Sequence, residues 1–307
     1  MKRLSSVFGL IAFSVLLSCG VQRCESVVVS ESKFGVIQSM TVSGLVAALR
    51  DPSYQRVIVC IELGTRNDKS AIASLRDVLI DSSLDVRVAA GDALLKLGDT
   101  TGVPALKDAL ASSSATQATL AAAALARNGD YAGVEIAKSH LADESTLIRV
   151  CSLTAVGLCP DDNVAYAALQ AGLVDKSNNV QGMAIWLLSK RKSTRSVELL
   201  ASHLSSPDCL RRRLVLQAIV DTQLCAAIPV LVDTLSDSDG GVRYFAAKLL
   251  NGLTGRKQPE MSLFRPENVQ TAQTEWRAWW SVNKQNYPPG QKAKTPEPSP
   301  AMIPAIL

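Results

Sequence analysis

A leucine recurs along this chain with a period close to thirty-one residues, and this repetition restricts the folds that the chain can adopt. The seven leucines are Leu49, Leu79, Leu110, Leu141, Leu173, Leu204 and Leu235, and their separations are 30, 31, 31, 32, 31 and 31 residues. A fixed period of roughly 20 to 50 residues is typical of repeat architectures, in which each repeat packs on its neighbours. We therefore expect about seven similar repeats stacked in a row.

Polar residues follow each leucine at two fixed positions. The second position is an acid or a serine: Asp51, Asp81, Ser112, Asp143, Asp175, Ser206 and Asp237. The fourth position is also an acid or a serine: Ser53, Ser83, Ser114, Ser145, Ser177, Asp208 and Asp239. Such side chains accept hydrogen bonds from the free N–H groups of a first helical turn, so the fourth position predicts seven N-caps. We interpret the aspartates at the second position as turn residues rather than as a carboxylate site.

Apolar residues recur at helical spacing after each cap, as in Val86, Ala90 and Ala93. Gly98 and Gly129 then occupy the place of a left-handed helix C-cap. Each repeat is thus predicted to contain helix A, a turn, helix B and a second turn. Aromatic residues make up 5% of the chain, which favours thin, closely packed helices over a β-sandwich.

The pattern Leu-x-Asp-x-Ser/Asp-x-x-Val-Arg followed by Ala-Ala, at Leu79–Ala90 and Leu235–Ala247, resembles HEAT repeats of the short bacterial, PBS-lyase-like type. The resemblance covers roughly residues 41–255. It is weaker in repeat 1, where Tyr54–Leu63 lacks the Ala pair, and in repeat 6, where Arg211 replaces an apolar residue. It implies an all-α fold. The expected architecture is a right-handed α-solenoid (α-α superhelix) of about seven HEAT-like helical hairpins with a C-terminal capping helix.

The N-terminus has the features of an export signal. Lys2 and Arg3 precede an apolar run over residues 7–17, which is too short to span a bilayer. Residues 16–19 read Leu-Leu-Ser-Cys, which resembles the lipobox of bacterial lipoproteins and implies that Cys19 carries the lipid. Ordinary cleavage near Ser18 or Gly20 is the alternative. The predicted location is the bacterial cell envelope, as a membrane-anchored lipoprotein or, alternatively, as a periplasmic or secreted soluble protein.

The predicted domains are a signal peptide (1–18), a tether (19–38), the HEAT-like domain (39–256), a C-terminal cap (257–286) and a disordered, proline-rich tail (287–307). Within the cap, a helix over Glu267–Lys284 places Trp276, Trp279 and Trp280 at spacings of three and four residues. We expect this helix to cover the apolar end of the last repeat, with a tryptophan-rich recognition patch as the alternative.

The sequence offers few groups for catalysis or metal binding. His140 and His203 occupy equivalent positions two repeats apart, roughly 20 Å, which is too far for one metal ion. The chain has no phosphate-binding glycine loop, and its net charge of +4 is too small to predict nucleic-acid binding. Its seven cysteines lack Cys-x-x-Cys spacing, and we expect free thiols. We therefore predict no catalytic residues, no metal, no cofactor, no nucleic acid and no small-molecule substrate.

A candidate binding surface lies on the last three B helices. If residues nine, thirteen and sixteen after each leucine line this surface, the partner-binding candidates are Trp186, Arg213, Gln217, Tyr244 and Lys248. Trp, Tyr and Arg often dominate interface energetics, whereas repeat 3 offers Thr119, Ala123 and Ala126. Residues 190–213 carry seven positive and two negative side chains. We expect an acidic or extended protein segment to bind here; the alternative is a buried Trp186 beside a solvated basic face.

The function predicted from these features is that of a non-enzymatic, membrane-tethered scaffold for protein–protein interaction. One alternative is a HEAT-like accessory subunit or lyase-type enzyme, which requires converging polar groups or a deep pocket. A second alternative is peripheral binding to an anionic membrane surface through the basic stretch.

Overall fold

The computed structural model describes residues 36–51, 55–256 and 265–293, and the regular elements in these ranges are helical. The α-helices are α1 Val42–Ala48, α2 Arg56–Arg66, α3 Ile72–Asp77, α4 Leu84–Lys96, α5 Val103–Leu110, α6 Ala115–Arg127, α7 Val134–Ser139, α8 Thr146–Gly157, α9 Asp162–Leu173, α10 Asn178–Arg191, α11 Thr194–Ala201, α12 Cys209–Asp221, α13 Ala227–Thr234, α14 Gly240–Thr254 and α15 Val269–Asn283. The predicted signal peptide and Cys19 lie outside the described residues.

Helices α1 to α14 alternate along the chain as A and B helices of seven successive hairpins, and α15 follows them. This arrangement confirms the predicted all-α solenoid fold with a C-terminal helix. The chain divides into two compact units, Met1–Ala184 and Ile185–Leu307, and the boundary falls within α10.

In the N-terminal unit the B helices pack side by side, with α2 on α4, α4 on α6 and α6 on α8. Leu63, Leu94 and Leu125 hold nearly equivalent repeat positions on these helices and are fully buried. Close packing depends on small residues: a Cβ added to Gly102, which precedes α5, would lie 2.6 Å from the Gly91 Cα on α4. The A helices of hairpins 1 to 4 have six to eight residues, whereas α9 of hairpin 5 has twelve.

In the C-terminal unit α11 packs on α12, α12 on α14 and α13 on α14. Leu216, Ile219 and Leu250 are fully buried between them. The last helix, α15, packs against α13, and its Trp276 is 1% exposed. The Arg256 guanidinium lies 4.9 Å from the Trp276 ring centre, a cation–π contact that joins α15 to the end of α14.

The segment after α15 differs from the predicted disordered tail, because residues 287–293 dock on the loop that joins α12 to α13. The Cys225 N–H donates to the Gln291 carbonyl at 2.9 Å, and the Ala293 N–H donates to the Gln223 carbonyl at 2.8 Å. The prolines here exclude a helix but do not prevent such pairing, since a proline carbonyl still accepts: Pro289 accepts from the Ala226 N–H. The remaining predicted tail, residues 294–307, lies outside the described residues.

Six of the seven predicted cap positions directly precede a B helix. The seventh, Ser53, lies outside the described residues, and α2 begins after Gln55. Ser83, Ser114 and Ser145 precede α4, α6 and α8 without a side-chain capping bond. The carboxylates two residues earlier act instead: Asp81 and Asp143 each accept from the serine N–H at 2.8 Å. Such a bond closes an Asx-turn and fixes the chain where it enters the helix. The capping prediction was therefore wrong about the acceptor at these three serines. It is confirmed at Asp208 and Asp239, whose carboxylates accept from the Leu210 and Val242 N–H groups.

An arginine on helix B joins successive turns. In hairpin 4, Arg149 is 3% exposed, and its Nη1 donates to the Asp143 and Glu144 carbonyls of its own turn at 2.8 and 3.0 Å. Its Nε and Nη2 donate to the Asp175 carboxylate of the next turn at 2.8 and 2.9 Å. One guanidinium thus satisfies carbonyls left free at the turn and fixes the position of the next hairpin.

The same contact recurs in hairpins 6 and 1. Arg212 donates to the Asp237 carboxylate with both distances at 2.7 Å, and to the Ser206 carbonyl at 2.7 Å. Arg56 forms the equivalent ion pair with Asp81. Arg212 is 6% exposed, so counting it within a basic surface was wrong: its charge is buried and paired. We call these inter-turn contacts the Arg–Asp ladder.

Replacing Arg149 by methionine tests the ladder. We expect the Arg149→Met variant to lose about 3 kcal/mol of local stability, because the Asp175 side chain, which is 14% exposed, loses its charged partner. Hydrogen exchange of the α8 and α9 amides measures this loss. Lys138→Met is the control, since the Lys138–Glu135 pair is solvent-exposed and should cost about 0.5 kcal/mol or less. An equal effect of both variants would contradict the role of the ladder.

The same variant should show a defined pH dependence. Burial raises the pKa of the Asp175 carboxyl, but hydrogen bonds from Arg149 and the Ser177 N–H outweigh it, so the pKa lies below its usual value of 3.8. A pKa lowered by folding gives stability that is complete above pH ~4 and is lost as pH falls through the lowered pKa. The stability gap between wild type and Arg149→Met should therefore narrow in acid, and a gap that does not depend on pH would contradict this assignment.

Candidate functional site

The candidate site is a surface on the B helices of the C-terminal unit, formed by side chains that point away from its core. These residues lie on α12, on α14 and on the part of α10 that belongs to this unit, and each is half-buried or exposed. We call this surface the B-face; it consists of Trp186, Lys190, Leu210, Arg213, Leu214, Gln217, Asp221, Tyr244, Phe245 and Lys248.

A side-chain contact joins α12 to α14 on the B-face, and charge acts between α10 and α12. The Arg213 guanidinium on α12 lies 5.2 Å from the centre of the Phe245 ring on α14. The charge of Lys190 on α10 acts on the Asp221 carboxylate on α12. Asp221 also accepts a 2.8 Å hydrogen bond from the Gln217 amide. The B-face is therefore continuous across neighbouring helices rather than a set of isolated side chains.

Electrostatics within the B-face are partly balanced. Burial raises the pKa of the Asp221 carboxyl above its usual value, while the Gln217 hydrogen bond and the Lys190 charge act in the opposite direction. Lys190 also lies over the Trp186 ring, with its Nζ 5.6 Å from the ring centre. Lys190 and Asp221 thus interact with other side chains of the B-face, namely Trp186 and Gln217.

All five predicted partner-binding residues lie on the B-face. Trp186 is half-buried on α10, Arg213 and Gln217 are half-buried on α12, and α14 carries half-buried Tyr244 and exposed Lys248. The structure therefore brings them to one surface of one unit. Their role in binding stays a prediction.

Two leucines of this surface were not predicted from the sequence. Leu210 and Leu214 are 46% and 52% exposed on α12. A signal was available, because they lie four residues apart on a helix whose buried face is already supplied by Val215, Leu216 and Ile219. Exposed leucines at this spacing form an apolar stripe that the core does not use.

The prediction that the sixteenth residue after each periodic leucine lines the surface was wrong in part. Ser189 holds this position in repeat 5 and is 2% exposed, whereas Lys190 at the seventeenth position is exposed. Residues four apart lie on nearly the same helix face, so positions nine, thirteen and seventeen share one side. The sixteenth position turns back towards the core.

The equivalent surface of the N-terminal unit is largely covered or internally paired. Thr119, Ala123 and Ala126, predicted to line repeat 3, are 0%, 2% and 4% exposed. Asp92 on α4 pairs with Lys96 at 2.7 Å and with Arg127 of α6 at 2.5 Å. Burial alone would raise the pKa of the Asp92 carboxyl, but the charges and hydrogen bonds of these two cations outweigh the effect of burial, so the pKa lies below its usual value. This lining therefore offers few groups to a partner.

A polar groove of about 590 Å³ lies at the turns of hairpins 6 and 7, lined by residues that include Ser206, Arg212 and Asp237. The Arg212 donors there already bond Asp237 and turn carbonyls. Within the described ranges, no group of three His, Cys, Asp or Glu side chains is arranged to hold a metal ion. No helix in these ranges combines the length and apolar character needed to cross a bilayer.

The cysteines that the structure describes are free thiols, as predicted for them: Cys60, Cys151, Cys159, Cys209 and Cys225. Burial raises the pKa of Cys60 and of Cys151 to about 12. Since the thiolate is the reactive form, these two buried side chains are poor nucleophiles at neutral pH. They pack as small apolar residues.

Several solved structures resemble this chain. The complex of CpcE and CpcF of phycocyanin lyase from Nostoc sp. PCC7120 is 19% identical, with a TM-score of 0.45, and the match covers 78% of this chain and 95% of that one. Human deoxyhypusine hydroxylase is 18% identical with a TM-score of 0.29, over 81% and 98% of the two chains. An engineered protein is 19% identical with a TM-score of 0.37, over 76% and 98%.

The sequence was also compared with curated proteins and with family models. No curated protein matches it. The family model of HEAT repeats matches residues 42–126. This stretch begins with α1 and ends within α6, so it coincides with hairpins 1 to 3. The first three hairpins thus match HEAT repeats in sequence, and the later hairpins share their helix–turn–helix architecture.

Proposed function

We propose that this protein is a non-enzymatic scaffold that binds a protein partner through the B-face and is tethered to a membrane by a lipid on Cys19. The observation that carries the binding role is the composition of the B-face. It combines two leucines that are about half exposed with Trp186, Tyr244 and Arg213 on a single surface. Exposed apolar residues beside aromatic and arginine side chains are typical of protein interfaces.

The B-face is also held rigidly, which favours binding. The three helices that carry the B-face each have a buried side opposite to it, where Leu188 on α10, Leu216 on α12 and Leu250 on α14 are fully buried. The ladder contact between Arg212 and Asp237 fixes the turns that precede α12 and α14. A surface that is already ordered loses less conformational entropy when a partner binds.

Site-specific photo-crosslinking in cells tests the binding role. A photoreactive phenylalanine analogue replaces Leu214 on the B-face, and in a matched strain it replaces Val174, which is 72% exposed in the N-terminal unit. We expect discrete protein adducts from position 214 and none from position 174. The adducts should disappear when Arg213→Ala and Tyr244→Ala are added. Adducts that form equally at both positions, or that survive these substitutions, would refute the proposal.

The membrane tether is tested by replacing Cys19. Several acyl chains on one residue provide enough buried methylenes, at roughly 0.8 kcal/mol each, to hold a protein at a membrane. We expect the wild-type protein in the membrane fraction and the Cys19→Ser variant outside it, while Cys24→Ser behaves like wild type. Mass spectrometry of the mature N-terminus should show acylated Cys19. An unmodified N-terminus, or retention of the Cys19→Ser variant at the membrane, would count against the tether.

A further inference from the structure

Arg213 differs in its contacts from the buried arginines of the ladder. It is half-buried on α12 and stacks on the Phe245 ring, with the guanidinium carbon 5.2 Å from the ring centre. Within the part of the chain that the structure describes, Arg213 forms no ion pair and no side-chain hydrogen bond. Arg149 and Arg212, by contrast, each bind a carboxylate through two nitrogens.

Stacking leaves the hydrogen-bonding capacity of Arg213 available. The contact with Phe245 uses the flat face of the guanidinium, whereas its five N–H donors lie in the plane of the group. A carboxylate can therefore approach from the edge and accept two parallel hydrogen bonds. Because the ring restricts the orientation of the side chain, little further ordering is required when this bond forms.

Apolar surface lies directly beside this guanidinium. Leu210 and Leu214 share the solvent-facing side of α12 with Arg213, because residues three and four apart lie on one helix face. With 46% and 52% of their surface exposed, these leucines leave apolar area that water covers in the free protein. A group that binds Arg213 also meets this apolar stripe.

The charge of the B-face defines the sign of the group that fits. Lys190, Arg213 and Lys248 are positive and Asp221 is negative, a surplus of two positive charges. Asp221 is already engaged by Gln217 and Lys190, so the excess lies towards Arg213 and Lys248. An acidic group is therefore attracted to the part of the surface that also carries the leucines.

We infer that the partner of the B-face is a protein segment that presents an Asp or Glu carboxylate next to a large apolar side chain. Arg213, held against Phe245, binds the carboxylate, and Leu210 and Leu214 contact the apolar side chain. This inference rests on the proposed function, because it names the class of partner for the same surface. An anionic membrane is less favoured, since a lipid surface would also bring anionic headgroups against the Asp221 carboxylate, whereas a protein segment can place its single carboxylate at Arg213.

Peptide selection on the purified, mature chain tests this inference. A phage-displayed library of random 16-residue peptides is selected for binding, with counter-selection on the Leu214→Ser variant. We expect enriched peptides to place Asp or Glu within about four residues of Leu, Ile, Phe or Trp. Synthetic copies should bind the Arg213→Ala variant about 10-fold or more weakly than wild type. Raising the salt concentration should weaken binding to the wild-type chain.

Matched variants separate this role from charge and from folding. Arg50→Ala removes the same charge from an exposed position in the N-terminal unit, and Val174→Ser removes an exposed apolar side chain there. Both should bind the peptides like wild type. Arg213→Lys should restore only part of the affinity, because lysine keeps the charge but lacks the planar pair of donors. Circular dichroism of each variant should match wild type, since these side chains face solvent.

Several results would overturn the inference. These are enriched peptides without a carboxylate, the absence of any enriched peptide, and peptide affinity unchanged by Arg213→Ala. Binding to vesicles of 30% phosphatidylglycerol in phosphatidylcholine that is lost in Arg213→Ala would assign the surface to a membrane instead. If adducts at position 214 form in cells but the peptide selection gives one of these contrary results, the inferred class of partner is wrong and the proposed function stands. If those adducts are absent, the proposed function itself is wrong.

Discussion

The Arg–Asp ladder joins successive turns at three places, Arg56–Asp81, Arg149–Asp175 and Arg212–Asp237, and we infer that it sets the register of the hairpins there. Apolar burial supplies most of the driving force for stacking, but it has no direction, so helices with similar leucine faces could slide against one another. A guanidinium that bonds the carbonyls of its own turn and the carboxylate of the next turn fixes that register. Arg149 does so in the N-terminal unit and Arg212 in the C-terminal unit. A buried ion pair adds little net stability, yet losing one partner is costly, which suits a role in specifying the register.

Local signals made much of the fold predictable. The leucine period and the polar residues after it gave the hairpin positions, because a helix start depends on residues within one turn. The predictions that were wrong concern contacts with residues distant in sequence, or sites where two neighbouring side chains can accept the same hydrogen bond. Arg212 looked like surface charge because its partner, Asp237, lies 25 residues further along the chain. Ser83 looked like the cap, but Asp81 forms the turn bond in its place.

The candidate site could be predicted in part for the same reason. Helical periodicity placed Trp186, Arg213 and Lys248 on one side of their helices, and the structure brings them to the B-face. Periodicity does not show whether a neighbouring element covers a given side. Thr119 therefore counted as lining although it is fully buried, and the exposed Leu214 was not identified. A stack that is fixed internally can thus leave one surface open, and the chemistry of that surface suggests what binds there.

A double-mutant cycle on Arg212 and Asp237 tests the ladder most directly. Hydrogen exchange of the α12 and α14 amides gives the opening free energies of wild type, Arg212→Met, Asp237→Asn and the double variant. Both side chains are 10% exposed or less, and we expect a coupling of about 2 kcal/mol or more between them. A cycle on the exposed Lys138 and Glu135, read from α7, should give about 0.5 kcal/mol or less. A coupling between Arg212 and Asp237 no larger than this control would show that apolar packing alone positions the hairpins.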